Sequence, residues 1–260
     1  MSCEFKNISF SYPGKKVLKK INLTIEPGKI TTMLGPNGSG KTTFVKTFQN
    51  TNEKQNGEIF IDSKNIKNLP VEKLAQKRAI LSQKTNLPFG FSVNEIISMG
   101  RFPHPESDNE KIVEEVLTLF NLQEFRNRNY LKLSSGEQQR VNIARSVAQI
   151  WNTSRNEKRY LLLDEPTSSL DVQFQVQLAK TLEKIKKKNI GILIVLHDIN
   201  LALSISDEIT LLSEGEIYKS FSKPFSEKQI SKGIKDVFKT DFETLKMKKG
   251  MILNPFFSND

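Results

Sequence analysis

The run Gly35-Pro36-Asn37-Gly38-Ser39-Gly40-Lys41-Thr42-Thr43 contains a glycine, four free positions, then Gly-Lys-Thr. Ile30 to Leu34 before it is apolar enough for a strand, and Lys41 to Phe48 after it reads as a helix. Glycines between the two let the backbone fold tightly, so that several N–H groups point at one spot. The helix start adds partial positive charge and Lys41 a full one, while the Thr42 hydroxyl offers an oxygen to a divalent cation. That combination is suited to holding a polyphosphate with Mg²⁺. Downstream, Asp164-Glu165 closes the apolar run Tyr160 to Leu163. Carboxylates at the carboxyl end of a buried strand stand where open α/β sheets place their ligands. His197 closes a second such run, Ile190 to Leu196, where taken alone it reads as a strand-end packing residue. His104, after Pro103 in a loop, carries no catalytic expectation.

The elements that must position these groups alternate between strand and helix. Glu4 to Phe10 and Val17 to Ile25 read as extended, joined by the turn Tyr12-Pro13-Gly14. Gly57 to Asp62 is a further strand, followed by a short helix near Val71 to Ala75 and a strand from Arg78 to Ser82 that delivers Gln83. An irregular apolar loop, Leu87 to Phe91, leads to Ser92-Val93-Asn94-Glu95, a capping box opening a helix that stops at Gly100. Ile112, Val113, Val116, Leu117 and Phe120 repeat at helical spacing. Leu133-Ser134-Ser135-Gly136-Glu137 starts another capped helix, so residues 84–156 are expected to form a largely helical subdomain. Val172 to Lys187 is a helix, and Glu208 to Leu212 with Glu216 to Ser220 forms a hairpin around Glu214-Gly215. In the C-terminal extension, 221–260, a helix from Ser226 to Ile234 and small strands around Phe238 and Ile252 are expected. The fold class is α/β: a nucleotide-binding core over 1–83 and 157–220, an antiparallel β region at the N-terminus, and the helical insert.

With 260 residues, 37% hydrophobic and 26% charged, the chain suits one large domain, and no apolar run reaches bilayer length. The N-terminal residues lack a signal peptide's apolar core, and the single cysteine, Cys3, is compatible with a reducing compartment. The excess of 39 Lys+Arg over 29 Asp+Glu gives +10. These cations are scattered, and the densest run, Lys184 to Lys188, sits at a helix end where its charge meets the dipole. The surplus is read mainly as solvation.

Phosphate loop, Gln83, Leu133 to Gln138, Leu163-Asp164-Glu165, Ser168-Ser169-Leu170-Asp171 and His197, in that order, resemble the ATP-binding cassette of ABC transporters over roughly Cys3 to Ser220. The resemblance implies an ATPase using ATP and Mg²⁺. Lys41 and the loop amides would hold the β- and γ-phosphates, and Thr42 with Gln83 would ligate Mg²⁺. Asp164 would hold the metal through water, Glu165 would deprotonate the attacking water, and His197 would contact the γ-phosphate. Tyr12, which by itself could simply cap a hydrophobic edge, would stack on adenine, the reading the resemblance favours. Ser134 and Gly136 would bind the γ-phosphate carried by another copy, with Asp171 at the seam. The working unit would be a homodimer beneath two membrane-spanning permease subunits, at the cytoplasmic face of the inner membrane. A periplasmic or surface substrate-binding protein would act indirectly. Ser135 stands where the family has a second glycine, and Ser169 where it usually has alanine. Within the family, Leu87 to His104, Ala148 to Trp151 and Arg159 to Asp171 resemble the haem importers, and ferric-siderophore and cobalamin importers share much of this pattern. Cassettes acting on nucleic acid join two cassettes in one chain or carry long coiled-coil inserts. This chain has neither feature, so no nucleic-acid partner is expected. A module that binds ATP without hydrolysing it is the remaining alternative, and Asp164, Glu165 and His197 speak against it.

Overall fold

The computed structural model describes residues 2–49, 55–82, 90–105, 109–151, 157–168, 170–247 and 250–255. Four strands form an antiparallel sheet in the order β2-β1-β4-β5: β1 (Cys3–Tyr12), β2 (Lys15–Ile25), β4 (Gln55–Ile61) and β5 (Lys64–Asn65). A second sheet runs β10-β9-β3-β8-β7-β6, built from β3 (Ile30–Leu34), β6 (Arg78–Leu81), β7 (Arg159–Asp164), β8 (Ile190–Val195), β9 (Glu208–Ser213) and β10 (Glu216–Ser222). Its pairs are parallel except for the β9–β10 hairpin.

β3, β7 and β8 are buried along their whole length, as parallel strands covered on both faces must be. Their side chains alternate between two cores. Ile30, Leu161, Leu163, Ile192 and Ile194 join the apolar faces of helices on one side. Met33, Tyr160, Leu162, Leu193 and Val195 meet the antiparallel sheet, Phe44 and Val45 of α1 (Lys41–Thr47) and its C-cap Phe48 on the other. Buried Cys3 belongs to this second core, where burial pushes its thiol pKa well up and keeps it an unreactive packing group.

Between β6 and β7 the described chain is helical: α3 (Val93–Met99), α4 (Asn109–Leu119) and α5 (Ser135–Ile150), after α2 (Val71–Lys77) earlier in the chain. Both expected capping boxes form. Ser92 and Ser134 accept from the N–H of Glu95 and Glu137, whose carboxylates accept in return from the serine N–H groups at 2.8 and 2.7 Å.

The end of α5 is tied to the loop after α3. Arg101, buried, donates to the carbonyls of Ala148 and Trp151 at 2.7 and 2.8 Å, supplying partners that the last helical turn lacks. His104 Nε2 donates to Gln149 O at 2.6 Å, and the Gln149 amide donates to Ala75 O and Arg78 O at 2.9 and 2.8 Å.

α6 (Val172–Lys186) joins β7 to β8; after β8 come α7 (Ile199–Ile205), α8 (Glu227–Phe238) and a separate hairpin of β11 (Phe242–Met247) and β12 (Gly250–Pro255). The expected strand around Phe238 is not there. Phe238 ends α8, whose apolar stripe Ile230, Ile234 and Val237 docks on the core, and the strand begins four residues later. α7 is also additional to the expectation, as is the short β5.

Replacing Arg101 by methionine leaves two buried carbonyls without their donor and lowers stability by about 2–4 kcal/mol, measured by urea unfolding. Burial lowers the His104 pKa, outweighing its bond to Gln149 O, so the folded chain refuses a proton that the unfolded chain accepts. Stability linked to this group is complete above the unfolded value of about 6.5 and falls as pH drops below it. A His104→Gln variant therefore shows a shallower loss of unfolding free energy between about pH 7 and pH 5 than the parent chain.

Candidate functional site

Sheet register determines the site. Met33 pairs with Val195, and Val195 with Asp164, so the carboxyl ends of β3, β8 and β7 lie in one row. The residues just beyond that row are the phosphate loop, His197 and Glu165. The β9–β10 hairpin packs on the loop at two points. A Cβ on Gly35 would stand 2.2 Å from Leu212 O, so the adjacent β9 admits only glycine there. At the tip of the hairpin stands Gly215, whose N–H donates to Ser39 O at 3.1 Å and whose carbonyl accepts from Lys19 N at 2.8 Å. One residue thus bridges the loop and β2. Gly215 has φ 81°, and a Cβ on it would meet Val17 O at 2.2 Å.

A cavity of about 570 Å³ opens over this loop, lined among others by Tyr12, Lys15, Lys16, Asn37, Gly38, Gly40, Lys41, Thr42, Thr43, Glu165 and Glu214. Pro36 and Ser39 complete the loop just beneath that lining. The Lys41 ammonium donates to Gly35 O at 2.8 Å and Pro36 O at 3.0 Å. Burial lowers its pKa, opposed by Glu165 and Asp164. Tyr12 is 47% exposed with its ring edge-on to Phe10, so a face of the ring remains open to a flat partner.

Asp164 is 1% exposed. Burial raises its carboxyl pKa against the hydroxyl of Thr42, which donates to Oδ1 at 3.3 Å, and neighbouring Glu165 adds to the rise. A hydroxyl oxygen facing a buried carboxylate oxygen is a hard donor pair, and the residues fit Mg²⁺. Glu165 follows in the left-handed region, φ 51°, which turns its side chain off the strand line. Its Oε1 lies 2.6 Å from His197 Nε2, the histidine being 48% exposed and the glutamate 13%. The chemistry available is a cationic, amide-rich cradle for phosphates with a carboxylate base at its edge.

Ser134 and Asp171 are exposed, Gly136 is partly so, and none of the three lines the cavity. Both side chains cap helices instead: Ser134 through its box with Glu137, and Asp171 by accepting from Phe174 N at 2.9 Å. Ser135 is exposed, so the extra side chain finds room. Gln83, Ser169 and the loop Leu87 to Phe89 lie outside the described residues. Sequence reasoning missed Lys15, Lys16, Val17, Lys19, Glu214 and Gly215 as part of the cavity. The Lys15-Lys16 pair after the Tyr12-Pro13-Gly14 turn was the available signal, a cationic rim for a polyanion.

This geometry has relatives. The family model described as ABC transporter matches residues 18–168, which include the loop, the Ser134 turn and both acids. The hemin import ATP-binding protein HmuV of Escherichia coli O157:H7 is 34% identical over 213 residues, 82% of this chain and 83% of the relative. The protein of that name from Hahella chejuensis is 37% identical, covering 78% and 80%. Among solved structures, a metal-chelate type ABC transporter in an inward-facing conformation superimposes with TM-score 0.78 at 23% identity, over 99% of this chain and 98% of that one. The dimeric ABC transporter cassette MJ0796 gives 0.72 at 27% identity, over 85% and 98%. With the model matched over more than half its length and such relatives over most of it, the chain belongs to the ABC transporter family.

Proposed function

We propose that the chain is the ATP-hydrolysing subunit of a bacterial ABC importer, that two copies close on two ATP molecules, and that the cargo is haem. The observation that carries the reading is the meeting of the phosphate loop, Asp164, Glu165 and His197 at one end of the mixed sheet. In this reading the loop amides and Lys41 hold the β- and γ-phosphates, the ammonium exchanging the carbonyls of Gly35 and Pro36 for phosphate oxygens. The face of Tyr12 carries the adenine. Glu165 takes a proton from the attacking water, and His197 keeps that carboxylate aimed and contacts the γ-phosphate. Phosphoryl transfer needs charge stabilisation and an in-line nucleophile more than covalent help, and each group supplies part of that. Thr42, Asp164 and Gln83 would hold Mg²⁺, whose charge offsets that of the phosphate oxygens.

Ser134, Gly136 and Asp171 lie outside the cavity with exposed or part-exposed positions, which suits contact with a nucleotide held by a second copy. MJ0796, itself solved as a dimer, supports the same arrangement. No helix among the described residues is long and apolar enough to cross a membrane. Transport is assigned to two separate membrane-spanning permease subunits, with this chain at the cytoplasmic face of the inner membrane and a substrate-binding protein acting indirectly. Residues 84–156 would move as a helical body against the core and pass closure on to the permeases. Haem is favoured over ferric siderophores and cobalamin by the names of relatives at 34–37% identity.

Glu165→Gln is expected to lower steady-state ATP turnover by roughly 10²–10⁴-fold while MgATP affinity, read by nucleotide titration, is kept; unchanged turnover contradicts the assignment. With the permease subunits co-purified and placed in vesicles, haem on the uptake side stimulates ATP hydrolysis. Stimulation by a ferric siderophore or cobalamin, with none by haem, overturns the cargo and leaves the ATPase standing.

A further inference from the structure

The C-terminal hairpin of β11 and β12 belongs to neither large sheet and does not line the cavity. Its β11 strand touches α8, where Thr244 bonds to Ser231 at 3.4 Å and Lys246 pairs with Glu227 at 3.1 Å, and its β12 strand packs on α7, the helix that starts two residues after His197. Leu253 of β12 is buried in the same core as Ala202, Leu203 and Ile205 of α7. Its backbone is gripped by one side chain: Leu253 N–H donates to Asn200 Oδ1 at 2.9 Å, and Asn200 Nδ2 donates to Leu253 O at 3.2 Å. The amide thus does for a strand edge what a neighbouring strand would do, satisfying both polar groups of one residue.

Asn200 stands in the first turn of α7, three residues from His197. α7 has only seven residues, too few to hold a direction by its own hydrogen bonds, so tertiary anchors set its course. Upstream, Leu196 N donates to Met33 O at 3.3 Å, which fixes where β8 ends. Downstream, Asp198 caps the helix by accepting from Leu201 N at 2.9 Å. Between these points the His197 imidazole reaches Glu165, and the paired bonds of Asn200 are the tie from that turn to the hairpin.

We propose that Asn200 is a positioning residue for ATP hydrolysis: by clamping the first turn of α7 to the C-terminal hairpin, it aims His197 at Glu165. The inference rests on the role given to His197 above. It assigns the hairpin a task in the reaction, although none of its described residues lines the nucleotide cavity.

The test compares Asn200→Ala, Asn200→Asp, His197→Ala and the Asn200→Ala/His197→Ala double variant in the full-length chain, by steady-state and single-turnover ATP hydrolysis. Thermal unfolding confirms that each is folded at the assay temperature. Because misplacement of a catalytic group by about 1 Å can cost on the order of 10²-fold, Asn200→Ala is expected to lower kcat roughly ten-fold with KM for MgATP unchanged. Asn200→Asp, which keeps the acceptor for Leu253 N–H, recovers part of that loss and carries the comparison if the alanine variant does not fold. The double variant turns over no more slowly than His197→Ala alone, since both changes act through one imidazole. Full activity of Asn200→Ala beside an impaired His197→Ala overturns the inference alone, as does an Asn200→Ala loss that persists undiminished in the double variant. Full activity of His197→Ala overturns the role of His197, and the inference with it.

Discussion

The parallel strands β3, β7 and β8 are buried on both faces, and everything at the site depends on their ending together. Burial of this kind leaves no tolerance for a register slip, because a one-residue shift would exchange the two cores. Leu161 and Leu163 would leave the helices, and Tyr160 and Leu162 would leave the antiparallel sheet. The row Met33–Val195–Asp164 is therefore held by apolar packing on both faces of the sheet. Packing against the loop does the rest. Leu212 O against Gly35 and Gly215 against Ser39 and Lys19 leave the loop little freedom, so its backbone is held by the protein's own packing.

The same physics recasts parts of two of the three segments on which the resemblance to haem importers rests. Met99 to His104 and Ala148 to Trp151 touch each other: Arg101 caps the end of α5, and His104 bonds to Gln149. Gly100 makes the approach possible, since a Cβ there would stand 2.3 Å from Arg145 O. Their shared pattern reflects a seam between helices and the α2–β6 region. It is information about how the helical segment is joined to the sheet, and cargo follows from it only through kinship.

Much of the site is legible in the sequence because its chemistry is local. The phosphate loop, the Asp164-Glu165 pair and both capping boxes are each set by residues a few positions apart, and each forms as expected. What is not legible is non-local. The Glu214-Gly215 turn reads as a hairpin tip, and only the sheet order, with β9 beside β3, brings it against Ser39. The His197–Glu165 contact likewise needs the β7–β8 register. α7 hides because seven residues after an apolar strand carry too short a pattern. β11 hides because its mostly exposed residues show no apolar alternation, so the expected strand slid back onto the apolar Phe238.

One chain supplies a cradle with a carboxylate at its edge, while Ser134, Gly136 and Asp171 stand at helix starts and do not line it. We propose that these two halves meet across two copies. It is tested most directly by the solution mass, from light scattering, of the hydrolysis-blocked Glu165→Gln chain with and without MgATP, beside the same chain carrying Ser134→Arg. The account predicts a MgATP-dependent doubling of mass that the arginine abolishes. A Glu165→Gln chain that stays monomeric with MgATP bound contradicts it.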